Sequence, residues 1–301
     1  MTDILCLGEP LVEFVRQQDG TYKHGFGGDT SNAAIAAARQ GASVGYLTAL
    51  GQDRFGDAVM DLWGSEGIET SAVRRNPDAP TGIYFVDPDP EGRFFTYYRA
   101  GSAASLYGPE DLDEAMLRAA KVLHLSGITL AVSQPLRDAA FRAAEIVRDA
   151  GGTISLDTNL RLKLWSAEEA RRITDRAMAL AGIAITSIDD SAHLTGLTDP
   201  DGIIAHYQAL GPLIVAVTKG AEGVRLGVAD QRHDIPPAPA DPVDSTGAGD
   251  SFSGAFLAYW LETSDPAEAA RRATRIAAGT VSGLGAVAPI PSRADILGHD
   301  A

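Results

Sequence analysis

A chain of 301 residues, 45% of them hydrophobic, buries a large core and fits one big α/β domain or two ordinary ones. Its formal charge of −15 is not interrupted by a basic stripe, which excludes nucleic acid and an anionic membrane surface as main partners. No window approaches the roughly 18 to 20 unbroken apolar residues of a membrane span, and MTDILCLGEP has neither a basic n-region nor a cleavage site, so a cytoplasmic location is expected.

Taken in chain order, strands are predicted over Ile4 to Leu7, Val44 to Leu50, Val122 to Ser126, Thr153 to Asp157, Ile183 to Thr186 and Leu213 to Thr218. Amphipathic helical segments lie between them, among them Ser31 to Gln40, ended by Gly41, and Gln134 to Asp149, ended by Gly151 and Gly152. Ser166 with Glu169 reads as a capping box. This alternation predicts βα units and a largely parallel sheet. Two stretches break it: Leu11 to Phe26 reads as a hairpin around Asp19-Gly20, and Gly82 to Arg99 as one around Asp87-Pro-Asp-Pro-Glu-Gly92. Both are expected to form a small lid sheet, with Phe95, Tyr97 and Arg99 on one face and Tyr84 on the partner strand able to share it. The single Cys6, in an apolar run, is expected to be a buried core thiol.

Several motifs are excluded. No Gly-Lys pair exists, so there is no Walker A loop. Gly25 to Thr30 and Gly247 to Phe252 lack the third glycine of a dinucleotide fingerprint, while Gly283 to Ala288 fits it but follows a helix. The serine-nucleophile spacing fails at Ser253. Six scattered histidines show no zinc-type spacing.

Asp244-Ser-Thr-Gly-Ala-Gly-Asp-Ser-Phe252 leads directly into an apolar helical run. Gly247 and Gly249 let the backbone approach a ligand, and the free N–H groups of the first helical turn, with the amides of Gly247, Ala248 and Gly249, form an anion site. Asp250 beside such a site would repel a stored phosphate; it makes sense as the acceptor of a proton from a hydroxyl attacking bound phosphorus. The alternative is a plain glycine turn with Asp250 as N-cap. Gly27-Gly28-Asp29-Thr30-Ser31-Asn32 also opens a helix, where bare glycine would admit sugar hydroxyls and Asp29 and Asn32 would pair with them; here too a turn capped by Asp29 or Ser31 is the alternative.

Together these two stretches resemble the N- and C-terminal signatures of the ribokinase-like (PfkB) carbohydrate kinases, and the resemblance runs nearly end to end. It implies a single three-layer α/β/α domain over residues 1–301 with a mainly parallel sheet, a β lid from about 11–27 and 81–99, ATP with Mg²⁺, and phosphorylation of a sugar hydroxyl in the cleft between. Gly8 to Phe14, Gly27 to Asp29, Tyr97 to Ala104 and Asp157 to Trp165 look most like 2-keto-3-deoxygluconate kinases, although fructokinases share the last stretch with its Asn159 and Arg161. The implied substrate residues are Gly28, Asp29, Asn32, Tyr84, Tyr97, Arg99, Asn159, Arg161 and Asp250, with Arg99 or Arg161 pairing a substrate carboxylate. The implied nucleotide residues are Ser187, Thr218, Gly220, Gly223, Gly247 and Gly249. Thr186-Ser-Ile-Asp-Asp190 departs from the Asn-x-x-Glu of many relatives, which leaves Asp190 to reach the metal through water. The expected reaction is in-line transfer to O6, with Asp250 an ordinary aspartate of pKa about 3.9 and therefore a weak base. Exposed lid strands predict a homo-oligomer. A non-catalytic sugar-binding regulator on the same fold is the alternative of another class.

Overall fold

Strands and helices alternate along most of the chain because apolar β-branched runs alternate with segments whose apolar residues recur every three or four positions. The computed structural model describes residues 2–89 and 92–297. In order they form β1 (Ile4–Leu7), β2 (Leu11–Arg16), β3 (Tyr22–Gly27), α1 (Asp29–Arg39), β4 (Val44–Leu47), β5 (Ala49–Gly51), α2 (Arg54–Ser65), β6 (Arg74–Asn76), β7 (Ile83–Asp89) and β8 (Gly92–Tyr98). There follow α3 (Glu114–Ala119), β9 (Val122–Ser126), α4 (Gly127–Ala131), α5 (Gln134–Asp149), β10 (Thr153–Asp157), α6 (Ala167–Met178), β11 (Ile183–Ser187), α7 (Ile188–Thr195) and α8 (Pro200–Leu210). The chain closes with β12 (Ile214–Thr218), β13 (Val224–Val228), β14 (Gln231–Ile235), α9 (Ala248–Thr263), α10 (Pro266–Val281) and α11 (Arg293–Leu297).

The large sheet has eight strands in the order β14-β13-β12-β11-β10-β9-β1-β4. Its strands run parallel from β12 to β4, while β13 and β14 add antiparallel to one edge. Alternate residues of one strand feed opposite layers. Ile4 and Cys6 of β1 pack with α1, α2, α9 and α10, whereas Leu5 and Leu7 pack with α5, α6 and α8. The parallel strands are thus buried on both faces, which is why they read as continuous apolar runs. Cys6 is buried and free, as the sequence predicts.

A four-stranded sheet in the order β3-β2-β7-β8 forms the lid. Tyr84 faces Tyr97 across the β7–β8 ladder. The turn residues 90 and 91 of the hairpin expected around Asp87 to Gly92 lie outside the described residues.

Two sequence expectations are corrected. The strand predicted over Val44 to Leu50 divides at Thr48, because Ala49–Gly51 leaves the main sheet to pair with Arg74–Asn76. The antiparallel extension β13–β14 is an addition; its tight turn runs through Ala229 at φ 47°, so no glycine marks it. The helix expected from Ser31 starts two residues earlier, at Asp29.

Candidate active site

The carboxyl ends of β1, β10, β11 and β12 open into one cleft of about 1030 Å³ between the large sheet and the lid, the position where open α/β sheets bind ligands. The N-termini of α1, α7 and α9 lie along its wall. Helices α2 to α8 and α10 each start at a Ser or Asp N-cap whose side chain accepts a backbone N–H. Helices α1 and α9 start at Gly28 and Gly247 and have no side-chain cap. This overturns the capping alternatives for Asp29, Ser31 and Asp250, and it leaves the first N–H groups of both helices available at the cleft. Gly247 adopts φ 79°, and a Cβ there would lie 2.7 Å from the Ala286 carbonyl oxygen, so only glycine makes this turn. Gly249 lines the cleft and faces open space, whereas Ala248 between them does not line it.

Asp250 sits half-buried in the first turn of α9, held from both sides. Asn32 Nδ2 donates to its Oδ2 at 2.8 Å, and Asn159 Nδ2 lies 3.3 Å from its Oδ1. The same Asn159 Nδ2 donates to Asp29 Oδ2 at 3.0 Å. Asp250 is not the ordinary aspartate that the sequence predicts. The crowding cleft walls push its pKa up to about 7, and the Asp29 carboxylate adds to the shift against the opposing pull of Asn32, Arg161 and Asn159. An acid tuned towards neutrality is a better proton acceptor for an alcohol than one at about 3.9. Behind it, buried Asp157 accepts from Ser253 Oγ at 2.9 Å and from the Asn159 N–H at 3.2 Å. Burial, then Asp250 and Asp190, raise its pKa to about 8.

Two acceptors close to Asp250, Asp29 Oδ1 and Asn32 Oδ1, are buried and have no hydrogen-bond partner among the described residues. Leaving such atoms unsatisfied costs about 1–3 kcal/mol each, so the pair is suited to receive hydroxyl donors from a ligand.

The lid supplies the opposite wall. Tyr84 donates to Glu13 Oε2 at 2.5 Å and stacks on Tyr97 with ring centroids 5.4 Å apart. Arg99 lies 5.5 Å from the centre of the Tyr97 ring and forms an ion pair with Glu9, which also accepts from Ser102 Oγ at 3.0 Å. Burial raises the pKa of Glu9 against the lowering pull of Arg99. Arg161 also lines the cleft, exposed, and its Nη1 donates to the Leu160 carbonyl at 2.9 Å.

Along the β11–β12 side, Ser187 caps α7 by accepting the Asp190 N–H at 3.0 Å. Asp190 Oδ2 accepts from Thr158 Oγ1 at 2.9 Å and from the Leu160 N–H at 3.1 Å. Thr218 lines the cleft, and its hydroxyl donates to the Thr186 carbonyl at 3.2 Å. Gly220 and Gly223 lie outside the cleft lining, in the turn between β12 and β13, where Gly223 is tucked against the Ile235 to Pro237 backbone.

The model of the pfkB family of carbohydrate kinases matches residues 1–293. The chain belongs to this family. The pfkB kinase described here is 33% identical to the 2-dehydro-3-deoxygluconokinase of Thermoproteus tenax, an alignment covering 97% of this chain and 92% of the relative. It is also 33% identical to "Probable fructokinase-4" of Arabidopsis thaliana, over 97% and 95%. Overall identity therefore does not separate the two acceptor classes. Among solved structures, the fructokinase of Xylella fastidiosa with bound ATP superposes with a TM-score of 0.91 at 25% identity, covering 98% of this chain and 97% of that one.

Two cleft residues of this pfkB kinase, Glu9 and Asp157, and two buried residues that hold cleft side chains, Glu13 and Ser253, escape sequence reasoning. Glu9 and Asp157 carry a usable signal, since each is a carboxylate at the carboxyl end of an apolar parallel strand. Glu13 and Ser253 carry none, because their roles arise from contacts across 71 and 96 residues of chain.

Proposed function

We propose that this pfkB kinase transfers the γ-phosphoryl group of ATP to O6 of 2-keto-3-deoxygluconate. The observation that carries the reading is a single cleft combining Asp250, uncapped helix N-termini, orphaned buried acceptors and arginines on facing walls. The N–H groups at Gly247 to Gly249 face the transferring phosphoryl group, whose transition state is loose and needs charge stabilisation more than strong basicity. Asp250 takes the proton of the acceptor hydroxyl as its oxygen attacks phosphorus and the ADP oxygen leaves. Asp29 and Asn32 accept hydrogen bonds from sugar hydroxyls and fix which one faces Asp250. The lid excludes water as a competing acceptor.

A sugar acid brings a carboxylate for an arginine to bind in a charge-assisted pair. Glu9 already neutralises much of the Arg99 charge, so Arg161 carries the larger share of this recognition. Among the described residues there is no group of three or more side chains able to hold a metal. That fits Mg²⁺, which keeps several waters and binds mainly through phosphate oxygens with one or two carboxylates. Asp190, with Oδ2 already occupied by Thr158 and Leu160, would hold it from Oδ1 through water. When bound, the ion supplies positive charge beside the phosphate oxygens.

ADP release measured over a panel of 2-keto-3-deoxygluconate, its galactonate-derived epimer and fructose tests the reading. The highest kcat/KM is expected with 2-keto-3-deoxygluconate; equal or higher values with fructose would establish a fructokinase, and ADP release with none would establish the non-catalytic alternative.

The outer face of the lid supports a homodimer. Phe14 and Phe85 stack there at 5.3 Å, flanked by Tyr22 and Tyr98, which are 45% and 63% exposed. Light scattering should report a dimer, and a monomer for Tyr98→Lys.

A further inference from the structure

Asn159 stands just past the carboxyl end of β10 and lines the cleft, where its amide group already faces two carboxylates. It is buried, and its backbone sits at φ 29°, a left-handed conformation uncommon for a residue with a side chain. Asn159 Nδ2 donates to Asp29 Oδ2 at 3.0 Å and lies 3.3 Å from Asp250 Oδ1. Both protons of the amide are thereby directed at carboxylates. The strained backbone is held in place: Asp157 Oδ1 accepts the Asn159 N–H at 3.2 Å, and Asp157 Oδ2 accepts from Ser253 Oγ at 2.9 Å. Ser253 is on α9, one turn beyond Asp250. A closed ring therefore runs from Asp250 along α9 to Ser253, across to Asp157, and back through Asn159 to Asp250. Strain at a functional site persists only where the surroundings over-determine it, and this ring does so.

We propose that Asn159 is a positioning residue for the base and not a ligand of the sugar, its amide bridging the Asp29 and Asp250 carboxylates so that this like-charged pair stands side by side in the cleft. The proposal rests on the assignment of Asp250 as base. The groups facing Asp250 are Asp29 and Asn32 from α1, Asp157 from β10, Arg161 from the loop after it, and Tyr84 from the lid. The cleft walls and the Asp29 carboxylate favour the protonated acid; Asn32, Arg161 and Asn159 oppose them. Removing the Asn159 amide takes away one of the three opposing groups and leaves the like-charged pair unbridged.

Asn159→Gly removes the side chain while glycine accepts the left-handed backbone, so the local turn is kept. In substrate-free protein carrying ¹³C-carboxyl aspartate, with the Asp250 signal assigned from Asp250→Asn, the Asp250 midpoint should rise from about 7 by about one unit. The acid limb of the turnover profile should move up with it. The activity lost at acidic pH should then return to within a few-fold of wild type about two units higher, and KM for the sugar should stay within about threefold. Asn159→Asp, of the same size but without the N–H donors, should move the midpoint further in the same direction. An unmoved midpoint, or an unmoved acid limb with a sugar KM raised tenfold or more, would overturn the proposal and return Asn159 to the substrate. If wild type turns over no sugar, the kinase reading fails, and the carboxyl titration still decides what Asn159 does to Asp250.

Discussion

Asn32 Nδ2 donates to Asp250 Oδ2 at 2.8 Å although 218 residues of chain separate them. The contact exists because α1 and α9 pack with almost nothing between them. A Cβ on Gly254 would lie 2.0 Å from the Ala33 carbonyl oxygen. The two helices that carry Asp29, Asn32 and Asp250 are thus fixed to each other at the level of backbone, one turn from these side chains.

Gly254→Ala must push α9 away from α1. Overpacking of this kind costs about 1–3 kcal/mol, and the displaced base should lower kcat by at least tenfold with KM less affected. Denaturant unfolding and steady-state kinetics read the two effects. Unchanged kcat in a folded variant would show that the Asn32–Asp250 spacing is not what the reaction needs.

The raised pKa of Asp250 fixes the sign of the pH dependence. The base must be ionised to accept a proton, so activity falls as pH drops through about 7, by about tenfold per unit well below it. A kcat/KM profile in wild type measures this. An acid limb below about pH 5 would mean that water in the cleft keeps Asp250 close to an ordinary aspartate.

Asp157 gives a pH-dependent stability with the opposite consequence for its removal. Its folded pKa, about 8, lies above the unfolded value of about 3.9, so the folded chain retains a proton that the unfolded chain releases. Its contribution is fully present below about pH 4 and is lost as pH rises through about 8. Asp157→Asn, neutral at every pH and still able to accept the Asn159 N–H, should raise Tm more at about pH 8.5 than at about pH 5. Equal shifts at both would contradict the assignment.

Recognition of the carboxylate divides the two arginines. Because Glu9 pairs with Arg99, Arg161→Ala, assayed about two units above the Asp250 midpoint where loss of its pull on that group matters least, should cost about 10- to 100-fold in kcat/KM on 2-keto-3-deoxygluconate and less than about threefold on fructose. Equal losses on both substrates would remove Arg161 as the carboxylate partner.

Much of this was legible in the sequence, for a physical reason. The parallel strands from β1 to β12 are apolar on both faces, so Ile4–Leu7, Val122–Ser126 and Thr153–Asp157 stand out with the boundaries that the structure shows. Gly247 stands out in the sequence for a reason the structure bears out, since its turn at φ 79° against the Ala286 carbonyl admits only glycine, whereas Gly249 faces open space. What could not be read were the consequences of convergence. That Asn159 is spent on two carboxylates, that Glu9 neutralises Arg99, and that Asp250 is far from an ordinary aspartate all depend on groups brought together from distant parts of the chain. The β13–β14 hairpin was missed because its turn uses Ala229 where a glycine or asparagine is the usual signal.

The central claim is that Asp250 receives the proton of the acceptor hydroxyl. Turnover of Asp250→Asn, measured as ADP release at saturating ATP and sugar acid with binding of both followed by calorimetry, tests it most directly. The predicted result is a loss of about 10²- to 10⁴-fold in kcat with both ligands still bound. Turnover within a few-fold of wild type would contradict it.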